Sequence, residues 1–374
     1  MPPSRDLLLH PDRNAAEYAR VDPQRAGWEH LHFAAAPDGA LFEADLEEVY
    51  FMRQSEKRFD ILTMGRCAVD FYCNDIGVAL KYAKSFNVYV GGCPANVAVG
   101  TRRLGLHSAI LTRVGVEPLG DFIMHFLETE GVNTEAIVRD PDHLSGLVVL
   151  GIEPPDTFPM TFYRADCADI NLRLDDVRAA PIGDAHVLFV SGTGFSREPS
   201  ASATMAAVEI ACASGSTVML DIDYRPTLWD DPRAFGPVLR RIIAEVDLAA
   251  GTEDEIRAAA DEPDVDAATE RLLRLGRNLQ ALIVKRGQRG STVFAAGGAR
   301  IDAPPFPVRI LNVIGAGDAF VSGFVYGTRR GWDWRKCARF GNATGAIVVT
   351  RHACANDMPY EQEALDFVAA GGGF

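Results

Sequence analysis

From residue 59 onward, short apolar runs alternate with stretches whose apolar residues recur every three to four positions. The run 59–65 is apolar and ends in Gly65, which suits a strand buried on both faces. A helix is expected over 94–104, with Pro94 in its first turn. A strand at 108–114 follows, then a helix at 119–130 with Phe122, Ile123, Phe126 and Leu127 on one face, stopped by Gly131. Strands at 186–190 and 217–220 flank an Ala-rich helix at 200–213, and 246–249 and 281–284 read as further buried strands. Helices at 316–330, 333–349 and 360–370 close the chain. Such alternation predicts an α/β fold with a mainly parallel sheet covered by helices on both faces.

Two regions break the alternation. The stretches 86–90 and 146–164 read as strands with no helix between them. Pro154-Pro155 marks a turn, so 147–152 and 160–163 are placed to pair as a hairpin. Strands of this kind fit a helix-covered parallel sheet poorly. A small second sheet is therefore expected, built from about 71–90 and 144–164 and projecting as a lid. Residues 1–58 carry Pro-Pro, Asp-Gly and scattered charges without a sustained period, apart from a candidate short helix at 42–52. They read as a partly ordered extension ahead of a main domain at 59–370.

Composition narrows the class. Hydrophobic residues make up 48% of the 374, ample for a core. No apolar run reaches the roughly 18 residues of a membrane span, and 1–13 lack an apolar signal core, so a cytoplasmic protein is expected. A net charge of −14 argues against nucleic-acid or anionic-membrane partners, although a local anion site remains compatible with it. The seven cysteines are scattered without a C-x-x-C pair, which fits reduced thiols rather than a disulfide framework or a zinc site.

The candidate chemistry lies in two glycine-rich segments. Gly315-Ala316-Gly317-Asp318 opens the helix expected at 316–330. Small residues at a helix start let backbone N–H groups approach an anion, and the helix end adds partial positive charge. An Asp in the first turn suits the dipole and can also act as a base. The same spacing equally serves a plain, tightly packed helix start. Gly91-Gly92-Cys93-Pro94-Ala95-Asn96 follows a strand and opens a helix, where two glycines permit close ligand approach and Asn96 offers an amide to a sugar hydroxyl. No G-x-x-x-x-G-K-[ST] is present, and no G-x-G-x-x-G follows a strand, which disfavours P-loop and dinucleotide enzymes. Gly287-Gln288-Arg289-Gly290 fits either a hairpin or a loop beside a nucleotide.

The two motifs, in this order and in an α/β chain with an inserted lid, resemble the ribokinase-like (PfkB) carbohydrate kinases from about residue 59 to about 359. The resemblance implies a three-layer α/β/α sandwich with a small β-sheet lid, and ATP-dependent phosphorylation of a sugar. It implies Asp318 as the base, with the N–H groups of Gly315, Ala316 and Gly317 as the anion hole. It places Asp70, Gly91, Gly92 and Asn96 on the sugar, and Lys285, Gly287, Gly290 and Asn342 on the nucleotide side. Glu255 would act on Mg²⁺ through water, and a monovalent cation is a further candidate. Two departures stand out: Asn312-Val313 where the family often has Asp-Thr, and Thr252 where it has Asn in an Asn-x-x-Glu motif.

Asp221-Ile222-Asp223-Tyr224-Arg225-Pro226, Tyr163-Arg164 before Ala168-Asp169, Gly251-Thr252-Glu253-Asp254-Glu255 and Arg351-His352-Ala353-Cys354 resemble, within that family, the 5-dehydro-2-deoxygluconokinase subgroup of myo-inositol catabolism. The subgroup implies a sugar-acid substrate whose carboxylate needs a cation. Arg164 and Arg225 are the candidates, because a guanidinium can grip a carboxylate with two hydrogen bonds. His352 reads as structural. The rivals are a 2-keto-3-deoxygluconate kinase, a fructokinase or another kinase of the family, and, from another class, a non-catalytic sugar or nucleotide sensor. By analogy with the family, a homodimer through the lid is expected.

Overall fold

The computed structural model describes residues 57–154 and 157–374. The extension up to residue 56, with its candidate helix at 42–52, lies outside them, as does Pro155 of the expected turn. The strands are β1 (Phe59–Met64), β2 (Ala68–Cys73), β3 (Phe86–Gly91), β4 (Ser108–Gly115), β5 (Ile137–Asp140), β6 (Gly146–Leu150), β7 (Met160–Tyr163), β8 (Ala185–Ser191), β9 (Thr217–Asp221), β10 (Leu248–Thr252), β11 (Ala281–Lys285), β12 (Ser291–Ala295) and β13 (Arg300–Ala303). The helices are α1 (Cys93–Arg103), α2 (Pro118–Thr129), α3 (Leu174–Ala179), α4 (Ser200–Ala213), α5 (Phe235–Ile243), α6 (Glu253–Ala260), α7 (Val265–Leu275), α8 (Ala316–Arg329), α9 (Trp334–Val348) and α10 (Glu361–Ala370).

Nine strands form the main sheet in the order β13-β12-β11-β10-β9-β8-β1-β4-β5. All its pairs are parallel except β11–β12 and β12–β13, an antiparallel edge that the apolar periodicity does not predict. Side chains alternate across the central strands, as a period of two requires. Leu62, Leu188, Leu220 and Leu282 face one way, into a core with α4, α5, α6 and α7. Ile61, Val187, Phe189, Met219 and Ile283 face the other, against α1, α8, α9 and α10. Two buried faces explain why these strands read as continuous apolar runs, and they make a three-layer α/β/α sandwich.

A second, four-stranded sheet has the order β3-β2-β6-β7, and β6 and β7 pair as the expected hairpin with Leu147 opposite Tyr163. β2 begins at Ala68, ahead of the expected boundary near 71, so Asp70 lies inside a strand of the small sheet. The strand expected at 246–249 begins at Leu248 instead. Asp70, Tyr89, Val148 and Phe162 share one register row and hence one face of the small sheet. Tyr72 and Leu150 of the same face pack with Ala319 at the start of α8 and with Val348, Cys354 and Met358. The small sheet thereby covers the carboxyl ends of the main strands, where ligands of open α/β folds bind.

Candidate active site

The loop before α8 is set by Asn312. Its side chain is fully buried, its Oδ1 accepts the N–H of Ile314 at 3.0 Å, and its Nδ2 donates to the carbonyl of His352 at 3.0 Å. An Asx turn of this kind fixes the backbone leading into Gly315 and gives the departure Asn312-Val313 a local structural role. Gly315 has φ +84°, and a Cβ there would lie 2.1 Å from Cys354 Sγ, so both conformation and space demand glycine. The first bond closing back onto the helix start runs from Ala319 N–H to the Gly315 carbonyl at 2.9 Å. In the turn before it the Ala316 N–H donates to the Val313 carbonyl at 3.3 Å, while among the described residues the N–H groups of Gly315 and Gly317 have no such carbonyl, which leaves a helix start able to meet an anion.

Asp318 stands in that first turn. Its Oδ2 accepts a 2.6 Å hydrogen bond from Asn96 Nδ2, and the Cys354 thiol lies 3.9 Å away. Asn96 is brought there by α1, whose entry through Gly92 needs φ +106°, and a Cβ at Gly92 would sit 2.5 Å from the Arg66 carbonyl. Asp318, Cys93 and Asp221 offer atoms within 4.8 Å of one another, so the ends of β3, β9 and α8 converge on one point. Burial raises the Asp318 pKa and the Asp223 charge adds to that, while hydrogen bonds from Asn96 and Cys93 pull it back. The result is a carboxyl more basic than an ordinary Asp, suited to accepting a proton.

Asp70 lies across from it, 7% exposed, with Oδ1 buried and unpartnered among the described residues. A Cβ on Gly91 would lie 1.8 Å from Asp70 Oδ2, so glycine at 91 makes room for this carboxyl. Burial pushes Asp70 up to about 7, against the pull of Arg66 and Arg164 and with help from Asp318.

On the other side of α8, Lys285 at the end of β11 approaches Gly317: a Cβ there would lie 3.1 Å from its Nζ. Lys285 is bonded to both Asp221 oxygens, at 2.8 and 3.1 Å. Burial opposes its charge, but Asp221 and Glu255 outweigh burial and keep it protonated. Glu255 is buried on α6, where its Oε2 accepts the Thr252 N–H at 2.7 Å and Thr252 Oγ1 accepts the Glu255 N–H, a reciprocal cap. Thr252, the second departure, thus serves as the N-cap of α6. Gly287 and Gly290 form the turn of the β11–β12 hairpin, both at positive φ. Asn342 on α9 donates to the carbonyls of Ala303 at 3.0 Å and Pro304 at 2.9 Å, so its amide ties down the strand end after β13.

The two candidate arginines part company. Arg164 is buried, with Nη2 2.5 Å from Asp169 Oδ1 and Nη1 unpartnered among the described residues. Arg225 holds Asp223 Oδ1 at 3.0 Å through Nε. Asp223 itself was not singled out as a site residue. It sits at φ +35° after β9, and also accepts Thr193 Oγ1 at 3.2 Å and Arg66 Nη2 at 3.5 Å. Burial opposes its charge, but Arg225 and Arg66 hold its carboxyl below the usual range. Arg66 was missed as well. The available signal was its place directly after Gly65, at the carboxyl end of the first strand. His352 is structural as expected, joining Tyr89 OH at 3.1 Å and the Cys73 carbonyl at 3.1 Å.

A helix-start anion site beside a basic carboxylate, facing a second carboxylate under a small sheet, defines a class: an ATP-dependent carbohydrate kinase. A profile of the pfkB family carbohydrate kinases matches residues 58–361, and the chain belongs to that family. It is 32% identical over 325 residues to a 5-dehydro-2-deoxygluconokinase of Clostridium perfringens, covering 85% of this chain and 95% of the relative. A 5-dehydro-2-deoxygluconokinase of Geobacillus thermodenitrificans is 29% identical over 318 residues, covering 84% and 94%. Among solved structures, fructokinase with bound ATP from Xylella fastidiosa aligns with a TM-score of 0.73 at 26% identity, covering 83% of this chain and 98% of that one. A putative ribokinase II from E. coli aligns with a TM-score of 0.77 at 23% identity, covering 83% and 99%, a likeness of fold. Among the described residues, no helix is long and apolar enough to cross a membrane.

Proposed function

We propose that this kinase phosphorylates 5-dehydro-2-deoxy-D-gluconate at its terminal hydroxyl, giving the 6-phosphate, as a step of myo-inositol breakdown. The observation that carries the chemistry is Asp318, raised in basicity and held by Asn96 in the first turn of α8. Asp318 takes the hydroxyl proton, the acceptor oxygen bonds to the γ-phosphorus, and the bond from that phosphorus to the ADP oxygen breaks. N–H groups of Gly315, Ala316 and Gly317 stabilise charge on the transferring phosphoryl group. Asp70, Asn96 and the backbone at Gly91 and Gly92 hold sugar hydroxyls. Lys285 offsets phosphate charge, while Gly287, Gly290 and Asn342 border the nucleotide.

Mg²⁺, when bound with ATP, would neutralise phosphate charge, with Glu255 holding its waters. The buried carboxylate of Glu255 fits that role, because Asp221 beside it is engaged by Lys285. Relatives of about 30% identity that carry the 5-dehydro-2-deoxygluconokinase name support the acceptor. We read residues 59–370 as one kinase domain whose small sheet closes as a lid and excludes water from the reaction. We also propose that a second copy of the chain covers the outer face of that sheet. The test of the acceptor is a coupled ADP-release assay across sugar acids and neutral sugars. The highest kcat/KM is expected for 5-dehydro-2-deoxygluconate; a preference for fructose or 2-keto-3-deoxygluconate overturns the reading.

A further inference from the structure

Beside the candidate site lies a cavity of about 360 Å³, bounded by β7 with the 164–170 segment and by the 193–200 segment. Arg66, Arg164 and Arg197 line it, with Phe162 and Thr193. Two of the three arginines have close acidic partners. Arg164 is bonded to Asp169 at 2.5 Å, and Arg197 to Asp230 at 2.5 Å and to the Ala165 carbonyl at 2.8 Å.

Arg66 differs. Its side chain is only 11% exposed, yet among the described residues its one hydrogen bond is a 3.5 Å contact from Nη2 to Asp223 Oδ2. Asp223 is held more closely by Arg225, at 3.0 Å, so Arg66 has at most a minor share of that carboxylate. The Nε of Arg66 is buried with no partner among the described residues. A guanidinium carries five N–H donors and keeps its charge at any working pH. Leaving the buried Nε unpaired is costly unless an anion arrives to meet it. Asp70 and Asp318 both feel the Arg66 charge, so it stands on the acceptor side of the site. The cavity lining includes neither Lys285 nor Gly315 to Gly317, and neither Asp70, Asn96 nor Asp318, so it adjoins the acceptor groups through Arg66 and Arg164 rather than containing them. Its volume is within the common range for small-molecule pockets, roughly 300–1,000 Å³.

Resting on the sugar-acid reading above, we propose that Arg66 is the residue that takes the acceptor's carboxylate, within this cavity. Arg164 and Arg197 wall the cavity while remaining bound to their own acids. Arg225 keeps Asp223 in place and does not itself select the acid. A sugar acid entering here would supply the oxygen acceptors that Arg66 lacks, and a neutral sugar would leave them missing. The same residue then discriminates between the two classes, because unpaired buried donors are what a site uses to reject the analogue without the matching group.

The test measures kcat/KM for 5-dehydro-2-deoxygluconate and for its analogue with the carboxylate reduced to an alcohol, in wild type, Arg66→Ala, Arg66→Lys and Arg225→Ala. Arg66→Ala is expected to lower kcat/KM for the acid about 100-fold, the loss of charge-assisted hydrogen bonds. The neutral analogue should change less than about 3-fold, so the preference collapses. Arg66→Lys should recover part of the preference by restoring the charge. Arg225→Ala should lower both acceptors together. ATP affinity and thermal unfolding report whether each variant is folded, and Arg66→Gln, closer in shape, replaces Arg66→Ala if that one is not. Equal losses for acid and analogue in the Arg66 variants would make Arg66 a structural residue and overturn the assignment. A wild-type acid preference that survives Arg66→Ala overturns this assignment alone. A wild type that prefers the neutral analogue overturns the sugar-acid reading and the assignment with it.

Discussion

The two carboxyls of the site differ in what burial does for them. Asp318→Asn keeps the shape and the Asn96 neighbour but removes the proposed base, so kcat should fall about 10³-fold, within the usual reach of general-base catalysis. ATP affinity should hold within a few-fold, and an unchanged kcat would remove Asp318 from the mechanism. Asp70 carries a cost in stability. Its pKa rises from 3.8 to about 7 on folding, so between those pH values the folded state keeps a proton that the unfolded chain has lost. Stability therefore falls as pH rises through that window, and the loss is complete above about 7, with an upper bound of about 4 kcal/mol. Asp70→Asn removes the charge that burial disfavours. The variant should melt several degrees above wild type at pH 8 and match it near pH 4, while its kcat/KM for the acceptor drops at least tenfold. Melting curves at the two pH values decide this, and a variant less stable at pH 8 would contradict the buried-charge account. The helix start that carries Gly315 and Asp318 was legible in the sequence because the motif is local. Arg66 and Asp223 were not, since their meaning comes from a meeting of strand ends that are distant in the chain.

The elements that carry the site are held by contacts between segments far apart in sequence. Gly315 opens α8 in a left-handed conformation against the Cys354 side chain. Gly315→Ala should cost at least 1 kcal/mol from backbone strain alone, and lower kcat by turning the N–H groups away. Adding Cys354→Ala removes the 2.1 Å collision but not the positive φ, so the double variant should recover only part of the stability. Full recovery of both Tm and kcat would show that space, not conformation, demands the glycine. His352 joins the small sheet, through Tyr89 and the Cys73 carbonyl, to Asn312 and the loop before α8. His352→Ala should raise amide exchange in β2 and β3 and raise the acceptor KM several-fold. Unchanged exchange there would mean that the brace bears no load. The buried strands and long helices were legible from apolar runs and helical period. The start of β2 was not, because Asp70 interrupts its apolar residues and only the Gly65–Cys67 segment separates it from β1. The β12–β13 edge escaped for a related reason: it is short, and its alternation is broken by half-exposed residues.

At the scale of the whole molecule, the small sheet has two unlike faces. The row of Asp70, Tyr89, Val148 and Phe162 turns toward the site, and the row of Phe71, Val88, Val149 and Thr161 turns away from it. That face is open only in part: Phe71 packs against the core under α1 and α2, while Val88 is 37% exposed, with Phe86 at 36% and Tyr163 at 63% on the same side. A single antiparallel sheet can keep one face wet, but wet faces are ordinarily polar. An apolar one of this kind suits burial against a partner, and a two-fold dimer buries the same patch on both copies. The proposed dimer would also stiffen the lid, since each sheet would be backed by the other. Light scattering should then give a mass of twice 40.6 kDa for the full chain. Val88→Glu places a charge in the patch without touching a buried side chain, and should yield the single-chain mass with an unchanged melting transition at low concentration. If dimerisation orders the lid, the same variant should raise the acceptor KM while sparing the ATP KM. A wild type of single-chain mass at tens of micromolar, or a Val88→Glu variant that stays at the double mass, would rule this interface out.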